Sequence, residues 1–176
     1  MKITFKNGEK IPSVDIYNLE GQKITIESFL GKPQLFIFLR HLMCLSCQEH
    51  LHQVKAHLHD FKAKNMEIRV FSFADVNSLK QHQAHFQWPF PLYANPDRSL
   101  YRAFKLKKGS FTQIFHPKAV IKQFFYTLKG QKLKKPIQDI YQLGGDFLIN
   151  AKGEVVFEHR SQHPEDRPSW QRLLKI

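Results

Sequence analysis

The run Pro33-Gln34-Leu35-Phe36-Ile37-Phe38-Leu39 constrains this chain more than any other segment. It is apolar on both alternating sides, the pattern of a central strand buried on both faces. Shortly after it stand the only two cysteines of the chain, as Cys44-Leu45-Ser46-Cys47. Gln48 to Asn65 then read as an amphipathic helix, because Cys47, Leu51, Val54, Leu58 and Phe61 recur at spacings of four and three. A Cys-x-x-Cys pair therefore straddles the point where a buried strand turns into a helix. A helix N-terminus there favours the thiolate at neutral pH. The stripe turns Cys47 to the core and leaves Cys44 at the helix head, where solvent is expected to reach it. An exposed thiol backed by a shielded one suits a nucleophile and its resolving partner.

The rest of the chain alternates strands and helices. Val14 to Tyr17 and Lys23 to Ile26 predict an N-terminal hairpin around the turn Asn18-Leu19-Glu20-Gly21, and Glu27 to Leu30 a short helical turn. Glu67 to Phe73 reads as a second buried strand, Val76 to Phe86 as a helix, Trp88 to Tyr93 as a short strand limited by proline, and Arg98 to Phe104 as a short helix. Phe147 to Ile149 and Val155 to Phe157 flank a turn and predict a closing hairpin. Pro164 to Ile176 is expected to be a terminal helix packed through Trp170, Leu173 and Leu174. Residues 107–142 are irregular, a helical insertion with an expected helix from Pro117 to Leu128. This order gives one α/β domain over 1–176, with a central mixed sheet flanked by helices.

Composition narrows the function. The chain carries 27 Lys and Arg against 15 Asp and Glu, a formal +12 that attracts polyanions. No groove-reading motif accompanies the charge, so no specific nucleic-acid partner is expected. No apolar h-region opens the chain and no uncharged apolar stretch is long enough to span a bilayer, which predicts a cytoplasmic protein without a transmembrane segment. Two cysteines in such a chain argue for redox or metal chemistry rather than a disulfide framework. Sixteen Phe predict an aromatic core. The basic aromatic segment Lys118 to Lys135 could lie on an anionic membrane; packing over the core or at a homodimer interface buries Phe124 and Phe125 better.

Around the cysteines, Arg40 and His41 are candidates to stabilise the Cys44 thiolate, His41 also as an acid or base. Arg160 is a further supporting candidate. A zinc site would use Cys44, Cys47, His50 and His41, but all four come from one short segment. The other histidines, including the pairs His50/His57 and His82/His85, read as solvated helix surface.

Over nearly its whole length the chain resembles the AhpC/TSA, or peroxiredoxin, family. The resemblance rests on Glu27 to Pro33 with the strand after it, and on Phe90-Pro91-Leu92-Tyr93-Ala94-Asn95-Pro96-Asp97 followed by Leu100 to Phe104. Arg40-x-x-x-Cys44-x-x-Cys47, Gln142 to Phe147, His159-Arg160-Ser161 and Pro164-x-Asp166-Arg167-Pro168 look like its peroxiredoxin-like branch. It implies a thioredoxin-like fold and thiol redox chemistry. Cys44 would attack a peroxide or disulfide, Cys47 would resolve the product, and a cellular thiol reductant would restore both, with no metal or organic cofactor. The chain departs from the family's usual pattern: Ile37 and His41 stand at its Pro and Thr positions. Gly144 stands near its usual Arg. A Cys-x-x-Cys pair near a βαβ unit also reads as a thioredoxin-like redox motif, yet no proline precedes Phe147. The rival expectation is a redox sensor or binding module that does not turn over.

Overall fold

The computed structural model describes residue 5 and residues 9–115 and 138–175. The apolar run forms β3 (Gln34–Phe38), buried at every position. Before it, β1 (Asp15–Tyr17) and β2 (Lys23–Thr25) make the antiparallel hairpin, followed by a 3-10 turn over Ile26–Phe29. Then come α1 (Leu45–Ala56), α2 (Leu58–Ala63), β4 (Glu67–Ser72), α3 (Val76–Phe86), β5 (Leu92–Ala94), α4 (Ser99–Ala103) and α5 (Phe111–Ile114). β6 (Gly145–Ile149), β7 (Val155–Arg160) and α6 (Trp170–Leu174) close the chain.

The sheet is mixed, in the order β2-β1-β5-β4-β3-β6-β7. β3, β4 and β5 run parallel, joined by helical crossovers; β6 pairs antiparallel with both β3 and β7. Strand alternation sorts the core by chemistry. Leu35, Ile37, Leu39, Ile68, Val70 and Leu148 face a layer supplied by α1, α2, α3 and α6, where both cysteines lie. Phe36, Phe38, Phe71, Phe147 and Ile149 face the other way, onto Phe5, Tyr101 and Phe104. The aromatic core is thus concentrated on one side of the sheet. Buried Tyr101 donates its hydroxyl to the carbonyls of Leu39 (2.8 Å) and Phe71 (3.0 Å), tying the ends of β3 and β4 below the cysteines.

Three expectations are corrected. The helix after the cysteines begins earlier, at Leu45, and breaks at His57 (φ −109°, ψ 20°). There the imidazole stacks on Trp170, with ring centroids 3.5 Å apart. The terminal helix is only Trp170–Leu174, because Pro164 and Pro168 keep the preceding residues extended or turned. His50 and His82 are buried, 3% and 6% exposed, rather than solvated. The expected helix from Pro117 to Leu128, the Lys118 to Lys135 segment and its dimer-facing side lie outside the described residues. Among the described residues no helix is long and apolar enough to cross a membrane.

Candidate functional site

Cys44 is the N-cap of α1 and Cys47 lies in its first turn. The position at the helix head is as expected; the exposure is not. Cys44 is 4% exposed and Cys47 2%, and both are free thiols. The segment before β6 adds to the cover: Leu42 donates its amide to Gln138 Oε1 at 2.8 Å, and Arg40 Nη2 donates to the Ile140 carbonyl at 2.7 Å.

The residues predicted for the site part company. Arg40 is beside it: the guanidinium is buried and Nη1 donates to Cys44 Sγ at 3.6 Å. His41 is also buried, and burial lowers its pKa to about 4 against the pull of Cys47. It is therefore uncharged at neutral pH and supplies no positive charge to a thiolate, though it keeps the capacity of a base. Arg160 is on the wrong face of the sheet. Its Nε donates to the Phe104 carbonyl at 2.9 Å, its Nη1 pairs with Glu158 at 2.8 Å, and its plane lies over Phe147. Side chains alternate along β7, so Arg160 faces the aromatic layer. The zinc set does not assemble either: His50 turns to Asp146, and among the described residues no three His, Cys, Asp or Glu stand together as metal ligands.

A second arginine stands at the thiols, Arg167, from the segment between β7 and α6. Its side chain is 5% exposed. Nη1 donates to Asp146 Oδ2 at 2.9 Å and to the Gly145 carbonyl at 3.2 Å. Nη2 donates to the Phe38 carbonyl at 2.8 Å and to Cys47 Sγ at 3.4 Å. Asp146 is fully buried and its Oδ1 lies 2.7 Å from His50 Nε2. Burial alone would raise its carboxyl; His50 and Arg167 outweigh burial and hold the pKa at about 2. An ionised carboxylate only accepts, so His50 donates to it through Nε2. Gly144 has a steric reason to be glycine. A Cβ there would stand 2.3 Å from the Phe38 carbonyl oxygen and 2.4 Å from Arg167 Nη2.

The two thiols are shifted in opposite directions. The Cys44 thiol is raised well above its ordinary value, first by the neighbouring Cys47 and then by burial. Burial would raise Cys47 as well, but Cys44, Arg167 and Arg40 outweigh it and hold Cys47 well below its ordinary value. Of the two sulfurs, Cys47 is the one whose thiolate the arginines favour.

A mixed sheet with a dithiol at the strand-to-helix turn defines a thioredoxin-like fold. Residues 51–163, more than half of the chain, match the model of the AhpC/TSA antioxidant enzyme family, and the chain belongs to that family. The match begins beyond both cysteines. No curated protein shows significant similarity. Among solved structures the chain resembles peroxidoxin BcpB from Mycobacterium tuberculosis at 13% identity and a TM-score of 0.66, covering 92% of this chain and 90% of that one. It also resembles the bacterioferritin comigratory protein of Xanthomonas campestris, at 20% identity and 0.61 over 84% and 80%. Peroxiredoxin 6 of Arenicola marina aligns at 13% identity and 0.70 over 97% and 70%. At these identities the likeness is one of fold.

Proposed function

We propose that the chain is a thiol redox enzyme whose Cys44/Cys47 pair cycles between dithiol and disulfide. The carrying observation is that each sulfur of the pair accepts from a buried guanidinium, Cys44 from Arg40 at 3.6 Å and Cys47 from Arg167 at 3.4 Å. The substrate is a peroxide or a disulfide. A thiolate attacks one oxygen of a peroxide; an S–O bond forms and the O–O bond breaks. Sulfur loses two electrons, and the departing alkoxide or hydroxide takes a proton. The second cysteine attacks the sulfenic sulfur, forming the intramolecular disulfide and releasing water. Two cellular thiol groups, attacking in turn through a mixed disulfide, return two electrons and two protons and leave joined as a disulfide.

The order of attack expected from the sequence, Cys44 first, rested on its reaching solvent. Both thiols are buried, and the charge favours Cys47 as the attacking sulfur with Cys44 as resolving partner. Stopped-flow oxidation of the reduced protein by peroxide and by small disulfides tests the reading, with mass mapping of the product. An intramolecular disulfide and repeated turnover with a thiol donor are expected. Limiting alkylation at neutral pH is expected to label Cys47 first. A single oxidation without turnover would instead support the sensing role, which the burial of both sulfurs favours. Exclusive intermolecular products would sink the resolving role.

A further inference from the structure

The buried charges around the thiols do not balance without a third partner behind Arg167. Arg40 and Arg167 both carry positive charge into the core, and among the described residues Asp146 is the carboxylate that answers them. The other titratable groups facing Cys47 are neutral at neutral pH: His41 from the β3–α1 turn and His82 from α3 have pKa values of about 4, and Tyr101 from α4 is raised well above its ordinary value. Where Arg167 points therefore decides how much of its charge Cys47 feels.

All four terminal N–H groups of that guanidinium are committed. Asp146 fixes one edge, and the Gly145 and Phe38 carbonyls fix its plane, leaving a single N–H for the sulfur. Asp146 is fixed in turn by His50, one helical turn beyond Cys47 in α1. The chain from His50 to Asp146 to Arg167 to Cys47 starts and ends on one helix and passes through β6 and the C-terminal segment. That segment is pinned down separately. His159 Nε2 lies 3.0 Å from Asp166 Oδ1, and the Gln162 amide donates to Asp166 Oδ2 at 2.7 Å.

Resting on the dithiol reading above, we propose that His50 and Asp146 are positioning residues that aim the Arg167 guanidinium at Cys47 and so set the reactivity of the pair. Neither touches a sulfur. Their contribution travels through the orientation of a planar fork that a point charge does not reproduce.

The test is the titration of thiolate ultraviolet absorbance in a Cys44→Ser background, where Cys47 is the single remaining thiol. Removing a cation within reach of a thiolate raises its midpoint by about one to three pH units. Arg167→Gln is expected to show that shift in full, and Asp146→Asn and His50→Phe most of it. His50→Gln, which restores an N–H donor, should recover the parent midpoint. Arg167→Lys should recover only part. Should Asp146→Asn fail to fold, the two His50 variants decide the matter, since their burden on the core is smaller. A midpoint equal to the parent in His50→Phe, which leaves the Asp146 charge in place, with native circular dichroism, would overturn the positioning role. An unmoved midpoint in Arg167→Gln would overturn the role of the arginine itself. The readout needs no substrate, so a wild-type protein that no oxidant attacks would remove the redox reading and leave this inference standing on its own titration.

Discussion

At the scale of single residues, the site is surrounded by groups held in states they would not choose in water. His41 and His82 are the clearest, both buried and both with pKa values near 4 against an ordinary 6.5, chiefly because burial penalises the imidazolium. The sign follows from proton counts. The unfolded chain takes up a proton on each ring below about pH 6.5, and the folded chain does so only near 4, so the unfolded state binds more protons in between. Stability is present in full above that window and falls as the pH drops through it. The slope approaches about 1.4 kcal/mol per pH unit for each histidine. His159 acts in the opposite sense: against burial, its pairing with Asp166 raises it, so it offsets part of the slope near pH 7. At the acid end it is protonated in both states, and there the slope of His41 and His82 stands alone. Urea unfolding between pH 7 and 5 should show the slope, and His82→Leu should remove about half of it. An unchanged slope in that variant would mean that His82 is protonated in the folded protein.

At the scale of elements, α6 is small but its docking matters to the thiols. Leu173 is fully buried against the α1 side of the core, and Trp170 stacks on His57 where α1 breaks. The Arg167 segment is stretched between β7 and this anchor. Leu173→Ala is expected to cost about 2–5 kcal/mol, the range for removing a buried leucine side chain. It should also slow alkylation of Cys47 by loosening Arg167. Loss of stability with unchanged thiol reactivity would show that the hydrogen bonds to Asp146, Gly145 and Phe38 hold the arginine without help from α6. This dependence was not legible in the sequence. The strand, the helix and the hairpins declare themselves through local periodicity, and Arg40 sits four residues from Cys44. Arg167 reaches Cys47 across 120 residues, and His50 reaches Asp146 across 96, distances at which spacing carries no signal. Parity did carry one: strand alternation along β7 separates His159 from Arg160 and sends Arg160 to the aromatic face. His50 falls three residues after Cys47, close enough in helical phase to share its buried face, a position passed over when its seven-residue spacing from His57 is weighed only for a shared metal ion.

At the scale of the whole molecule, the formal +12 contributes little to the thiols, because exposed charges beyond about 8 Å are screened at physiological salt. The two buried guanidiniums are not screened, and they make the stability of the fold depend on its redox state. Joining Cys44 to Cys47 closes a very short loop, worth roughly 2 kcal/mol by chain entropy. The same reaction consumes the thiolate and leaves Arg40 and Arg167 facing a single carboxylate. Taking one partner from a buried ion pair costs about 3–5 kcal/mol. The second effect outweighs the first, so the reduced protein should be the more stable form and its disulfide a readily reduced one. For a chain of this size each kcal/mol moves the melting temperature by about 2–4 °C. Calorimetry with and without a thiol reductant should therefore show the reduced form melting several degrees higher, and Arg40→Met should narrow the gap by removing one of the stranded charges. A higher melting temperature for the oxidised wild type would show that the guanidiniums find other partners on oxidation, and that the thiolate is not what balances them.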